Sequence, residues 1–177
     1  MRNTEVDVHA LCPGNVTVVL GREMLPLVFE LTSTAWLPGA VIPPRHTCSA
    51  ADVSPPLSWT APPTGAASLA LVMDDPDAPG RTWSHWLVWN LPAATRSLAE
   101  GQRPGAPGMV AGTNDFGKVG YGGPCPPPGH GTHRYFTRLY ALDTLLSLGD
   151  GAGLIELKGA MKGHVLASTE LMGRSWR

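Results

Sequence analysis

The chain has 177 residues, of which 43% are apolar and 15% charged, with 13 Lys/Arg against 14 Asp/Glu and a formal charge of −1. That length supports one domain with a real core. The balanced charge, with no Lys/Arg run, excludes the concentrated positive face of a nucleic-acid groove, and no apolar stretch approaches the ~20 residues that span a bilayer.

The 21 glycines and 18 prolines, in a chain still rich in apolar residues, predict many short strands joined by structured loops, hence a mainly β protein. Residues 1–26 read as an N-terminal extension, patterned only at Val16-Thr17-Val18-Val19-Leu20, an expected extra edge strand. The start lacks the continuous apolar core behind a basic end that marks a secretory signal. The domain is expected over 27–177. Phe29-Glu30-Leu31-Thr32-Ser33 alternates as a half-buried strand does. A proline-dense loop follows, with one short strand near Leu57 to Trp59.

Leu69 to Met73 and Trp86 to Leu91 are short apolar runs bounded by turn residues, as buried strands are. Between them Asp74-Asp75-Pro76-Asp77-Ala78-Pro79-Gly80-Arg81-Thr82-Trp83-Ser84-His85 contains a Pro/Gly turn that no helix crosses. Asp75, Asp77 and His85 therefore gather at one end of a sheet. A second long loop, Gly101 to Thr132, runs into Tyr135 to Leu142, a clean strand opened by His133. A loop of that length in a compact domain is functional or disordered, and its tyrosines favour order. Leu154, Leu157, Met161, Val165 and Met172 fall near one face of a helix that starts by Gly151 or Gly153 and ends at Gly173.

Two imidazoles and a carboxylate thus meet where strand ends meet. Ser84 neighbours His85 on a strand and points to the opposite face, so it is no nucleophile for that base. The histidines and acids match no zinc pattern, and no Gly-Lys-Ser/Thr follows the glycine-rich segments. No metal and no cofactor are expected. Imidazole N–H groups, backbone N–H groups of a glycine-rich loop and a tyrosine hydroxyl suit the oxygens of phosphate or carboxylate, with the acid orienting the histidines. The three cysteines, Cys12, Cys48 and Cys125, lack metal spacing. A reduced cytoplasmic protein is the expectation, and a Cys48–Cys125 disulfide the alternative.

Asp75-Pro76-Asp77-Ala78-Pro79, Trp83-Ser84-His85-Trp86 and Gly131-Thr132-His133-Arg134-Tyr135 resemble the phosphatidylethanolamine-binding protein family, in the family's order and at fitting separations. Tyr121-Gly122-Gly123-Pro124-Cys125-Pro126-Pro127 and Lys162-Gly163-His164-Val165-Leu166-Ala167 resemble its bacterial and archaeal branch, which includes proteins similar to the Raf kinase inhibitor protein. The resemblance implies a Greek-key β-sandwich of two antiparallel sheets with a small anion pocket at one end. It places Asp75, His85 and His133 at the pocket's polar centre, with Trp83, Gly123, Pro126 and Tyr135 around them and Asp77 bracing the loop. Trp176 stands where the family commonly has a tyrosine-containing tail near the pocket. The Cys48 to Asp52 loop lacks the family's usual glycine. A homodimer is also implied.

Three functional readings follow. The first is a binding protein for a small phosphate- or carboxylate-bearing ligand, such as a phospholipid headgroup, with a regulatory role toward a protein partner. The second is a cofactor-independent acid/base enzyme, an isomerase, cyclase or dehydratase, using Asp75, His85 and His133. The third is a kinase or protease inhibitor acting through protein contact, which rests on the family likeness alone.

Overall fold

The computed structural model describes residues 28–177; the expected strand at Val16–Leu20 lies outside them. In chain order the elements are β1 (Leu31–Thr32), a 3-10 turn at Pro44–His46, β2 (Leu57–Trp59), β3 (Ser68–Asp75), β4 (Trp83–Pro92), β5 (Ser97–Leu98), β6 (Val110–Ala111), β7 (His133–Leu142), α1 (Leu154–Met161) and β8 (Val165–Ser175). They form a three-stranded sheet, β1-β2-β5, and a five-stranded sheet, β6-β4-β3-β7-β8. Every pairing between these strands is antiparallel.

The central strand explains the layering. Side chains alternate across a strand, and both faces of β3 are buried. Leu69, Leu71 and Met73 join Trp86, Val88, Leu139 and Leu171 in a core shared with Leu31, Leu57 and Trp59 of the smaller sheet. Ala70 and Val72 face the other way, against Leu87, Trp89, Leu142 and the α1 residues Leu157 and Met161. Burial on two sides is why Leu69 to Met73 reads as an uninterrupted apolar run.

The expected C-terminal helix is corrected to well under half its length, the 8 residues of α1. α1 stops at Met161, and Gly163, at φ +86°, turns the chain back. Val165 and Met172 belong to β8, which pairs with β7 from Leu142↔Val165 to His133↔Ser175. Ala167, Leu171 and the close-packed Gly173 recur with a period of two facing the core between the sheets. That sheet-matching period overrides the helical coincidence. The expected strand at Phe29–Ser33 shortens to Leu31–Thr32. Among the described residues no helix is long and apolar enough to cross a membrane.

Candidate functional site

Asp75 ends β3, Trp83 begins β4 and His133 begins β7. Strands β3, β4 and β7 are neighbours, so these three ends come together. Asp75 continues the inward row of Leu69, Leu71 and Met73, and His133 that of Leu139, Thr137 and Tyr135.

His85 arrives there differently. Met73 pairs with Trp86 but Asp74 pairs with Ser84, so the ladder slips by one residue and His85 is left without an opposite number. Such an unpaired residue breaks the alternation locally and re-aims a side chain. His85 and Trp86 thereby both serve the inner side. Ser84 goes to the other, where its N–H and Oγ donate to Asp115 Oδ2 at 2.6 and 2.8 Å.

These residues line a cavity of about 300 Å³. Its polar groups are Asp75, His85 and His133, and its walls are Ala78, Pro79, Trp83, Phe116, Cys125, Pro126 and Pro127. Among the described residues no lysine or arginine lines it. His133 Nδ1 donates to Asp75 Oδ2 at 2.7 Å, and Asp75 Oδ1 accepts the Asp77 N–H at 2.8 Å. Asp77 itself lies on the outer side, where the Arg134 guanidinium grips both of its oxygens and holds its carboxyl down at about 2.

The Nδ1 of His85 donates to the carbonyl of Gly122 at 2.7 Å, with that of Gly123 at 3.2 Å. Burial pushes the His85 imidazole below its ordinary value, against the opposing pull of the Gly122 carbonyl and the Asp75 charge. The neutral ring therefore carries its proton on Nδ1 and leaves Nε2 as an acceptor. Tyr135 lies beneath, its ring 5.2 Å edge-on from His85 and stacked at 6.5 Å on His133. Its phenol is pushed well above the usual range by burial and by Asp75.

Gly123 frames the site through its backbone. Its N–H is spent on Asp52 Oδ1 at 2.7 Å, and that of Gly122 on the His85 carbonyl at 2.9 Å. The Gly123 N–H, expected around the pocket, and its neighbour are thus committed inside the protein. Asp52 sits at φ +54°, a left-handed conformation that aspartate tolerates better than most residues, so the loop turns without the family's glycine.

Trp176 is placed outside the cavity, 57% exposed. Ser175 pairs opposite His133 and is buried, and alternation sends the next residue outward. Cys48 and Cys125 form a disulfide with their Cα atoms 5.3 Å apart. This corrects the expectation of free thiols: the loops that carry them are brought together by Gly123 to Asp52, by Tyr121 Oη to the His46 carbonyl at 2.6 Å, and by Cys48 N–H to the Pro124 carbonyl at 3.1 Å.

Sequence reasoning missed two residues. Phe116 closes the wall, 5.6 Å from Trp83 and 5.3 Å from His85. It is held by Asn114, whose amide donates to the His85 and Gly120 carbonyls and whose Oδ1 accepts the Phe116 N–H. An aromatic next to an Asn-Asp turn was the available signal. The other is His130, whose Nδ1 lies 2.8 Å from His133 Nε2.

The chain is thus a two-sheet antiparallel β protein with an imidazole-floored, aromatic- and proline-walled cavity at one end of its larger sheet. Residues 32–176 match the phosphatidylethanolamine-binding protein family, and the chain belongs to it. A UPF0098 protein of Methanothermobacter thermautotrophicus is 50% identical over 137 residues, covering 75% of this chain and 88% of that protein. Another from Aquifex aeolicus is 44% identical over 149 residues, covering 82% of this chain and 87% of that one. Among solved structures, a phosphatidylethanolamine-binding protein homolog from Chlamydia trachomatis superposes with a TM-score of 0.77 at 40% identity, covering 84% of this chain and 97% of that one. YbcL of E. coli, a member of the mammalian family, gives 0.79 at 30% identity, with 84% and 98% covered.

Proposed function

We propose that the cavity binds a small ligand through a phosphate or carboxylate group held by His85 and His133, with the proline and aromatic walls receiving the ligand's apolar part. A phospholipid headgroup is one source of such a group. The observation that carries this reading is the commitment of each histidine's Nδ1 to an internal acceptor, Asp75 for His133 and Gly122 for His85. Each ring keeps its Nε2, that of His133 facing His130, and the cavity-lining Trp83 adds a buried Nε1–H without a partner. With no lysine or arginine lining the cavity among the described residues, the anion's charge is matched by protons taken up on imidazole.

The sign of the pH dependence follows. His85 is neutral in the free protein and burial holds its proton affinity below the ordinary 6.5. An anion at Nε2 raises that affinity, so binding takes up a proton and strengthens as pH falls. For one linked proton the gain is at most about tenfold per pH unit. It continues below 6.5 instead of levelling off there.

Calorimetric titration at pH 8, 7, 6 and 5.5 tests this, with inorganic phosphate and with acetate, whose charge is constant over most of that range. Phosphoethanolamine and phosphatidylethanolamine vesicles extend the series to the headgroup source. Affinities that ignore pH, or that survive His133→Ala and His85→Ala unchanged, refute the assignment.

A further inference from the structure

The Pro127–Thr132 loop, which leaves the cavity wall at Pro127, is exposed at every residue, whereas the His133 that follows it is 2% exposed. From this loop His130 reaches back to place its Nδ1 2.8 Å from His133 Nε2, the two rings 5.0 Å apart and nearly edge-on. The other nitrogen of His133 is held by Asp75. An exposed side chain thus occupies the one atom of a buried imidazole that an anion needs.

The residues flanking His130 suit a ring that moves. Gly129 and Gly131 stand at φ +74° and +86°, and a Cβ at either would meet nothing within 4 Å. Glycine is required there by backbone conformation and not by space, and it leaves the segment between with the widest conformational freedom available to a chain. The His130 ring has His133 as its aromatic neighbour and no place in either hydrophobic core. Upstream, Gly129 is pinned through its N–H to the Arg177 carbonyl at 3.0 Å, so the ring can swing while the loop's base stays fixed.

We propose that His130 is a displaceable plug of the anion site: its imidazole holds His133 Nε2 in the free protein, and the incoming phosphate or carboxylate takes that place as the ring turns outward. The proposal rests on the anion-binding reading above and adds a residue that sets affinity and selects ligands. A ligand has to offer Nε2 more than a neutral imidazole does, which charged oxygens do and hydroxyl or amide groups do not. The proton that Nε2 then carries comes from solvent whether or not His130 is present.

His130→Ala tests this, because the exposed position makes the variant's folding independent of the plug. The exchange of one imidazole–imidazole hydrogen bond is removed from the binding step, so phosphate and acetate bind about three- to tenfold tighter than to the wild type. Wild-type His130 ring signals in proton–nitrogen correlation spectra shift on saturation with acetate. In the anion-free proteins, the His133 ring nitrogens differ between wild type and variant. Equal or weaker binding by the variant overturns the plug, and so do unchanged His133 signals in the anion-free pair, while both leave the anion reading standing. Absence of phosphate and acetate binding in both proteins overturns the anion reading and the plug with it.

Discussion

Replacing Cys48 and Cys125 together by serine separates what the disulfide does for the unfolded chain from what it does for the cavity. The bond closes a loop across a sequence separation of 77 residues. On the chain-entropy relation, a loop of that size is worth about 4.5 kcal/mol at 25 °C, nearly all of it from restricting the unfolded ensemble. The folded side loses little. The Asp52–Gly123, His46–Tyr121 and Cys48–Pro124 hydrogen bonds still clasp the same two loops. For a chain of this length, that loss lowers the melting temperature by roughly 10–18 °C. Acetate affinity, by contrast, changes by less than about twofold, because the cavity wall at Cys125 and Pro126 stays in place. Urea unfolding of the double variant beside the oxidised wild type, followed by titration of both with acetate, reads the two quantities independently. A loss under about 1 kcal/mol refutes the entropic account. A stability loss of the expected size accompanied by lost binding refutes the claim that the hydrogen bonds suffice to hold the wall.

Two further predictions concern groups around the site. The Arg134 guanidinium lowers the Asp77 carboxyl from 3.8 to about 2, so this pair contributes stability that is fully present above pH 3.8 and is lost as pH falls through 2. After allowance for its partial exposure, the contribution is about 1 kcal/mol. Asp77→Asn should therefore cost about that much at pH 7 and only a small fraction of it at pH 2, where about half of the native carboxyl is protonated, in parallel urea titrations, and a pH-independent difference would contradict the linkage. Gly123→Ala places a Cβ 2.5 Å from the His46 carbonyl oxygen, 2.6 Å from Asp52 Oδ1 and 2.9 Å from Thr47 Cα. With backbone on two sides the neighbours have little room to give, so the variant loses about 2–3 kcal/mol. The carbonyls that orient His85 are displaced at the same time. Retained stability together with wild-type acetate binding would refute that packing analysis.

How much of this was legible in the sequence varies by element, for physical reasons. β3 and β4 announce themselves as apolar runs closed by turn residues and β7 as an aromatic-rich strand interrupted by Arg134 and Arg138, and Asp75, His85 and His133 stand where those strands meet Pro and Gly. The bulge that delivers His85 left no mark, since an unpaired residue is a property of two strands in register and not of either one alone. β8 was hidden because its inward residues, Ala167, Thr169, Leu171 and Gly173, are mostly small or polar, so its period of two is weak in hydrophobicity. Gly173 is a glycine because Trp36 and Ile42 press against the strand there, within 3 Å of any Cβ. Trp176 was misplaced for a related reason: which face a strand's last residue takes depends on that register. His130 stood in view among the loop residues, but its contact with His133 depends on a turn through two left-handed glycines that residue types alone do not specify.

The one-residue slip at His85 sets the cavity end of β4 apart from its middle, and a second slip, between the pairs Leu71↔Val88 and Leu69↔Leu91, divides the strand again further along. From Trp86 to Trp89 the strand is locked between two packed cores, where a change of register would turn every buried side chain the wrong way. From Trp83 to Ser84 it keeps a separate count, set by the loop that begins at Asp75. Residues added to or removed from that loop can redraw the cavity's rim without the core registering the change, much as a hem can be altered without recutting the cloth. A scaffold built in this way can serve ligands of different shapes while keeping the same pair of imidazoles at the bottom.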